Sequence, residues 1–483
     1  MFRISKKRIL IAALVLAGYF PASAQSETGT RWTLQKAIDH ALQHNLQVKL
    51  SALNTEVSQL NLKDSRASLL PELNANASEN FRSGRSIDPF TNNFVNQNIW
   101  STSLGLNGSV VLFSGLQLKN SLRRSQIDEK ASQADLAKAK NDMILNIVTA
   151  YMQVLFNDEL LTTAKLNLSS SQSQALRTEK LFKAGSVAET NLLEINAQVA
   201  ADELNVINAQ NNKDIAELNL MQLLDLQDKT NFEVEKPVIP EPDQSVIGFN
   251  AQQVYETAQQ TQPEINAADL RVRSAMKGVD VARGAFYPRL SLIGSVSTGY
   301  SSGRQATTVS GVRYDQFVFF QNPDGTSPSV VYTPTPNFIV NDYLFADQFN
   351  DNISKNISLN LNIPIFNRFQ ARYGVQRSQV AVRNAELNLQ LEKNNLRQKV
   401  EQAYADATAA QKKYVAAKKQ LESFEKAYKN AEIRFNNGIL NSTDFNVSKN
   451  NYIKAQSDII QAKYDYTFKL KILDFYQGKP ITF

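Results

Sequence analysis

Two histidines have a type and spacing that could bind a metal ion. His40 and His44 lie four residues apart, which places both imidazoles on one face of a helix, a spacing that can hold Zn²⁺. No glutamate stands between them and no third ligand is indicated, so we predict a solvated helix face there. The sequence has no cysteine, no glycine-rich phosphate loop and no nucleophile motif. We therefore predict no enzyme, no cofactor and no metal site.

Two related stretches interrupt very long helical patterns, FKAG at 182–185 and FNNG at 435–438. A glycine just past a periodic run suits a helix C-terminus, because glycine accepts a positive φ without a Cβ clash. Residues 186–189 (SVAE) have the pattern of a capping box that would restart a helix, and residues 441–443 (NST) offer similar caps. Each stretch therefore predicts a tip that joins two antiparallel helices.

Residues 1–24 have the pattern of a secretory signal peptide. Four basic residues precede an apolar run from 9 to 20, and Ala-Ser-Ala follows at 22–24. Removing this segment takes the formal charge from +6 to +2, so charge gives no indication of nucleic-acid binding. No later window reaches eighteen apolar residues without charge, so a mature chain that crosses a membrane must do so as a closed β-barrel.

The chain contains an internal duplication. At a constant offset of 253, residues 104–223 match 357–476, and upstream an offset of 217 places Pro71 on Pro288. The difference of 36 residues between the offsets indicates an insertion within 301–353. We predict a first repeat at 25–249 and a second at 250–483.

Each repeat is predicted to contain a helix, two strands, a long helix, a tip and a return helix. An extended linker rich in proline is predicted near 228–249. The predicted bounds in the first repeat are about 33–68, 70–82, 101–113, 116–183 and 187–227; those in the second are about 250–285, 288–300, 355–366, 369–436 and 441–476.

The long helices carry the heptad pattern of a coiled coil. Apolar residues alternate at spacings of three and four from Val400 to Phe435, and the pattern continues from Tyr452 to Tyr466. The first repeat keeps this register from Ile147 onward. A helix of about 67 residues spans on the order of 100 Å, which is too long for a compact domain and predicts a rod or the wall of a tube.

The strands alternate apolar and polar residues, as in Ile357 to Asn362. Segments of about ten such residues are typical of outer-membrane barrels, but any half-buried antiparallel strand alternates in the same way. Four strands cannot close a membrane barrel, for which about eight are needed. If the strands span a membrane, several chains must share one barrel. The sequence does not decide whether the segment 301–353 enters the lumen or covers the mouth.

With these features the chain resembles the TolC family of outer-membrane efflux and secretion channels. Residues 33–37 (TLQKA) and 41–46 (ALQHNL) resemble the family's opening motif, although Leu46 stands where proline is usual. Both tips resemble its aromatic-x-x-Gly turn, and the duplicated layout covers essentially the whole mature chain.

The resemblance implies a mainly helical fold with a β-barrel portion. Coiled-coil hairpins would form a periplasmic α-barrel, and a homotrimer would give four strands per chain to one barrel in the lipid of the outer membrane. A periplasmic adaptor protein and an inner-membrane pump would complete the path. The tips would dock the adaptor through Phe182, Gly185, Thr190, Phe435, Gly438 and Thr443.

In the family, aspartates near the tips ring the closed end and bind cations. The position six residues after glycine is Asp444 in the second repeat and Asn191 in the first, and Glu194 lies nine after the first glycine. Val447 replaces a second aspartate, and Leu440 stands where a basic latch is frequent. The three gate candidates are thus Asp444, Asn191 and Glu194. Asp444 could instead cap its helix, which the helix dipole favours, and both roles are compatible.

The leading hypothesis is an outer-membrane exit duct for small molecules or proteins. The alternative is a non-transport coiled-coil protein of the periplasm, such as an adaptor or a structural spacer. An adaptor would carry one helical hairpin flanked by compact β-domains, whereas this sequence predicts two hairpins, each with its own pair of strands.

Overall fold

A computed structural model describes most of the chain. The residues described are 31–87, 94–226, 232–237, 241, 248–320 and 329–479. The signal-like segment 1–24 lies outside them. The chain divides into two compact units. Unit 1 comprises Met1–Asn54, Gln133–Asn266 and Gln390–Phe483, and unit 2 comprises Thr55–Ser132 and Ala267–Leu389.

The fold is mainly helical with a smaller β portion, as predicted. The helices are α1 (Leu34–His44), α2 (Leu46–Ala67), α3 (Gln117–Lys183), α4 (Glu189–Leu223), α5 (Ala251–Thr261), α6 (Pro263–Arg283), α7 (Phe345–Asp351), α8 (Gln370–Asn436) and α9 (Ser442–Tyr476). The strands are β1 (Glu72–Ile87), β2 (Phe94–Ser114), β3 (Arg289–Ser301), β4 (Gln305–Phe320), β5 (Ser329–Asp342) and β6 (Ser354–Asn362). No helix among the described residues is both long enough and apolar enough to cross a membrane.

The helices of the two hairpins begin and end at positions that differ by the predicted offset. Helices α3 and α8 each contain 67 residues, α4 and α9 each contain 35, and both pairs are related by 253. The division into repeats at 249 and 250 itself stays a prediction.

Each predicted opening helix is in fact two helices. The breaks are at Asn45 and Gln262, which are related by the offset of 217 and are both extended, with ψ of 131° and 127°. Pro263 disfavours a helical conformation at Gln262. In the first repeat, Asn45 accepts a hydrogen bond from the Gln47 N–H and donates one to the Leu223 carbonyl. The side chain of Asn45 thus fixes a break that Leu46 does not impose.

The predicted coiled-coil seam is buried in unit 1 over its first half and half-buried at Leu421, Phe424, Tyr428 and Phe435. From Val400 to Ala417 every seam residue is buried, and Tyr414 packs with Tyr466 across the pair α8 and α9. In the first repeat Ile147, Val154 and Leu220 belong to a larger apolar cluster. The many alanines on the seam allow close approach of the helices, which the 3.5-residue period keeps facing one another.

A short extended segment, 232–237, crosses this cluster in unit 1. Trp32 and Val234 form a parallel bridge, and the Tyr151 hydroxyl lies 2.7 Å from the Glu235 carbonyl oxygen. Burial raises the pKa of Tyr151, which keeps this hydroxyl a hydrogen-bond donor at neutral pH. Much of the predicted linker, including Pro240 and Pro242, lies outside the described residues.

Unit 2 contains a four-stranded antiparallel sheet in the order β1-β2-β3-β6. Strand β6 ends at Asn362, two residues before Pro364, because proline has no N–H for the ladder. Strands β1 and β2 extend to Ile87 and from Phe94, so most of the interval between the two predicted strands, which end near 82 and begin near 101, is itself strand.

The insertion in 301–353 folds as a second, two-stranded sheet, which the sequence did not predict. Strands β4 and β5 pair over their length, with Val312 opposite Pro336 and Tyr314 opposite Pro334. Prolines are tolerated at the free edge of a strand. Helix α7 follows. Its buried Gln348 side chain accepts a hydrogen bond from the Ser301 N–H and donates one to the Ser301 carbonyl. Whether the segment 301–353 enters the lumen or covers the mouth stays undecided.

Candidate functional site at the hairpin tips

Both tips end their first helix with the same hydrogen-bonded motif. Gly185 has a φ of 72° and Gly438 one of 73°. The Gly185 N–H donates to the Phe182 carbonyl at 2.8 Å, and the Gly438 N–H donates to the Phe435 carbonyl at 3.0 Å. These are Schellman motifs, which satisfy the last helical carbonyls. No atom lies within 4 Å of a Cβ built on either glycine, so backbone conformation, and not lack of space, requires glycine.

The capping box predicted for residues 186–189 is wrong. The Ser186 N–H completes the first Schellman motif by bonding the Leu181 carbonyl. The chain is still extended at Ala188, which is the N-cap without a side-chain bond, and α4 begins at Glu189. Ser186 therefore lies two residues before the N-cap of α4 and does not cap it.

The second tip is capped as predicted. The Asp444 N–H donates to Asn441 Oδ1 at 2.8 Å, and Asn441 Nδ2 donates to Asp444 Oδ2 at 3.0 Å. Asp444 is thus part of a reciprocal cap at the N-terminus of α9, where the helix dipole favours a negative charge. Its side chain is also exposed, so this contact leaves a role in a gate available.

The other gate candidates lie on the first turns of α4. Asn191 is half-buried and Glu194 is exposed. Of the docking candidates, Thr190 and Thr443 are exposed on the first turns of α4 and α9. The assignments of gate and docking roles remain predictions, because both roles need partner chains.

An aromatic stack supports only the second of the two tips. Phe445 is 2 % exposed and stacks on Phe435 with ring centroids 4.5 Å apart. Tyr428 continues the stack, 5.9 Å from Phe445 and 5.2 Å from Tyr452. At the offset of 253, Leu192 replaces Phe445 in the first tip. The two equivalent turns therefore rest on different packing.

The two hairpins are tied together near their tips in unit 1. Arg177 on α3 donates to the Asn436 Oδ1 on α8 at 2.5 Å. Further from the tips, Lys449 Nζ on α9 donates to Ser171 Oγ on α3 at 2.6 Å and lies 3.8 Å from an Asp202 carboxylate oxygen on α4. Ser171 also donates to Asp202. We call Ser171, Asp202 and Lys449 the buried polar triad.

The buried polar triad is almost completely shielded from water. Lys449 is 2 % exposed and Asp202 is 3 % exposed. Burial lowers the pKa of Lys449, and the Asp202 charge only partly offsets that effect. Gln198 donates a further bond to Asp202 at 2.9 Å. Removing one charge of such a pair leaves the other without compensation in a medium of low dielectric.

Sequence reasoning missed the triad although a signal was present. All three residues occupy seam positions: Ser171 and Asp202 correspond by the offset of 253 to Phe424 and Ala455, and Lys449 precedes Tyr452 by three. Charged residues at a coiled-coil seam specify register and pairing at some loss of stability.

The two histidines lie on α1 with their rings stacked, at a centroid distance of 4.3 Å. Burial, followed by repulsion from His44, lowers the pKa of His40. Within the described residues, no group of three or more His, Cys, Asp or Glu side chains could hold a metal ion.

Comparison with known proteins gives a consistent result. The family model described as outer membrane efflux protein matches residues 37–225 and 254–478. TolC of Escherichia coli (strain K12) is 26 % identical over 335 residues, which cover 66 % of this chain and 62 % of TolC. The chain thus matches about three fifths of the length of that relative.

Two further proteins match over more of the chain. BepC of Brucella suis, an outer membrane efflux protein, is 19 % identical over 460 residues, which cover 95 % of this chain and 87 % of BepC. The CmeC outer membrane channel of Campylobacter jejuni has a similar fold, with a TM-score of 0.70 and 20 % identity over 92 % of this chain and 85 % of CmeC. The duplicated hairpins with their matching tips and the family match agree: the chain belongs to the outer membrane efflux protein family.

Proposed function

We propose that the protein is the outer-membrane duct of a tripartite efflux or type I secretion system. It provides passive exit from the periplasm for substrates delivered by an inner-membrane pump and a periplasmic adaptor protein. The observation that supports this most strongly is the pair of hairpins, whose helices match in length and whose tips share one hydrogen-bonded motif. Members of this family are outer-membrane proteins with a long periplasmic helical portion, and the location of this chain follows from its membership.

A homotrimer is part of this proposal. The main sheet has four strands, and a membrane barrel needs about eight or more, so the strands of several chains must combine. In a single chain, apolar residues of β6 are exposed, including Ile357, Leu359 and Leu361. Lipid contact and neighbouring strands would cover such a face. Three chains would give twelve strands.

The closed end of the duct is proposed to carry a ring of Asp444 carboxylates. Repetition by trimer symmetry turns one exposed carboxylate into a ring that favours cations. Asn191 and Glu194 would contribute from α4. Because the Asp444 carboxylate also accepts a bond from Asn441, substitution by alanine removes both a charge and the bond that holds the cap residue in place.

Two substitutions of Asp444 separate the gate from the cap. Asp444→Asn removes the charge and keeps a side-chain oxygen for Asn441, whereas Asp444→Ala removes both. A gate role predicts that both variants lose cation preference and divalent block in single-channel recordings. If both variants retain the wild-type cation preference and block, Asp444 serves only as a cap.

The tips are proposed to dock the adaptor hairpin. Most residues at Gly438 would strain the turn whatever their effect on docking, because φ is positive there. Gly438→Asn is the better variant, since asparagine tolerates this conformation and adds a side chain at an open surface. Gly478→Asn is the matched control, because Gly478 ends α9 with the same motif away from the tip. Normal crosslinking of Gly438→Asn to the adaptor would exclude docking at this turn.

The assembly is tested by membrane fractionation. We expect the full chain in the outer-membrane fraction as a trimer that dissociates on heating. A monomer in the soluble periplasmic fraction would contradict the duct and favour the alternative of a non-transport coiled-coil protein.

A further inference from the structure

Four helix ends adjoin the main sheet of unit 2 at the same end of its strands. The ladder pairs Ser114 at the end of β2 with Arg289 at the start of β3, and Arg289 with Asn362 at the end of β6. Glu72, at the start of β1, pairs with Ser109 near the same end of β2. The C-terminal ends of α2 and α6 and the N-terminal ends of α3 and α8 therefore all lie at this end of the strands.

These helix ends hold an unusual concentration of positive charge. For each of the four helices we take the sixteen residues next to the strand it adjoins, which are 56–71, 115–130, 273–288 and 368–383. Together these ranges contain thirteen Lys or Arg residues and five Asp or Glu residues. The rest of the chain after residue 24 has a net charge of −6. We call the Lys and Arg residues of the four ranges the basic cluster.

The cations on α8 and in the turn just before it are available to a ligand. Arg368, Arg372, Arg377 and Arg383 are all exposed, and no carboxylate of the described residues forms an ion pair with any of them. At about 100° per residue, Arg372 and Arg383 lie within roughly 20° of one another around α8, and Arg368 lies in the turn just before the helix. The range 368–383 contains no acidic residue, and Asp280 and Glu386 line one cleft with Arg383 without an ion pair to it.

The positions of the charges recur in both repeats. Arg124 corresponds to Arg377 at the offset of 253, and Arg66 corresponds to Arg283 at the offset of 217. Neighbouring positions differ between the repeats, as in Arg123 and its counterpart Gln376. The basic cluster thus extends over all four helix ends and is not confined to one helix.

Exposed aromatic side chains lie beside the basic cluster where two of the helix ends join the strands. Phe286 and Tyr287 precede β3, and Phe366 and Phe369 follow β6; all four are at least 50 % exposed. Aromatic residues at this level are typical of the boundary between a membrane and water. Cations immediately beyond such a boundary reach the depth of the lipid headgroups.

We propose that the basic cluster binds the anionic phospholipid headgroups of the periplasmic leaflet of the outer membrane. This inference depends on the proposed function, in which the strands cross that membrane. The bound groups are phosphodiesters, which guanidinium groups recognise through paired hydrogen bonds and charge. The arrangement favours a lipid surface over a soluble anion because cations lie at all four helix ends and adjoin exposed aromatic residues at two of them.

The test uses the full-length protein in detergent and native mass spectrometry, with dioleoylphosphatidylglycerol as the anionic lipid and dioleoylphosphatidylcholine as the neutral one. We expect the wild type to bind the anionic lipid more tightly. The triple variant R368Q/R372Q/R383Q should weaken that binding by about fivefold for each cation removed, with no change for the neutral lipid. The triple variant with lysine at the same positions should retain the preference and shows that the fold tolerates substitution there.

The matched control removes three charges elsewhere on α8. Lys412, Lys419 and Lys426 are exposed and distant in sequence from the sheet, so K412Q/K419Q/K426Q should leave lipid preference unchanged. Unchanged preference in the arginine-to-glutamine variant overturns the proposal. So does unchanged lipid binding together with altered anion permeability in planar bilayers, because the cations would then face the pore. A wild type that conducts no ions refutes the duct itself and is read independently of lipid binding.

Discussion

Replacing Lys449 with methionine tests the buried polar triad most sharply. The ammonium group lies 3.8 Å from the Asp202 carboxylate and 2.6 Å from Ser171 Oγ, and all three side chains are buried. Methionine retains the apolar stem and removes the charge. Asp202 would then be buried without a cation, and breaking such a pair costs about 3–5 kcal/mol.

Hydrogen exchange measures this loss of stability directly. A loss of about 3 kcal/mol raises the equilibrium constant for local opening by on the order of 100-fold. We expect faster amide exchange at 198–206 and 445–453, measured by mass spectrometry on the full-length protein. Regions of unit 1 distant from the triad should change little.

The double variant gives the control. Asp202→Ala places at this position the residue that stands at Ala455 in the second repeat, and removes the remaining buried charge. Replacing a buried pair by apolar groups is often neutral or stabilising, so Lys449→Met with Asp202→Ala should exchange more slowly than Lys449→Met alone. Wild-type exchange in Lys449→Met, or equal exchange in the single and double variants, would refute the reasoning.

Three further predictions concern stability. Phe445→Ala should cost about 3–5 kcal/mol because it opens the aromatic stack, and Leu192→Ala in the first tip should cost less, as measured by limited proteolysis at each tip. Asn441→Ala should cost about 1 kcal/mol through loss of the helix cap, seen as faster exchange at the start of α9; unchanged exchange would contradict this role. Burial raises the pKa of Asp158, but bonds from two lysines outweigh that effect and lower it overall. Its stabilising contribution is therefore present above about pH 4 and lost as pH falls through the folded-state pKa, so the thermal midpoints of Asp158→Asn and wild type should differ at pH 7 and approach one another as pH falls below about 4.

The sequence predicted the long hairpins because strict local rules govern them. The heptad spacing fixed the seam from Val400 onward, and the positive φ of Gly185 and Gly438 follows from the motif that ends each helix. A cap among residues 441–443 was predicted for the same reason, and the structure has it at Asn441. Local chemistry of this kind depends on few neighbours, so a single sequence is sufficient.

The sequence analysis failed where a residue had two possible roles and where the partners lie far apart in the chain. Ser186 has the pattern of an N-cap, but its N–H serves the preceding helix and the following helix begins later. The hairpin of β4 and β5 was missed because Pro334 and Pro336 argue against a central strand, whereas a two-stranded sheet has only edges. The buried polar triad joins three helices, and only tertiary structure identifies such partners.

Conductance of the purified protein in planar bilayers tests the central claim most directly. The wild type should insert as a trimer and show discrete steps of a single conductance class with a preference for cations. The Asp444→Asn variant should insert equally well and lose that preference. A purified protein that stays monomeric, or that inserts without discrete conductance steps, would contradict the account of this chain as an outer-membrane duct.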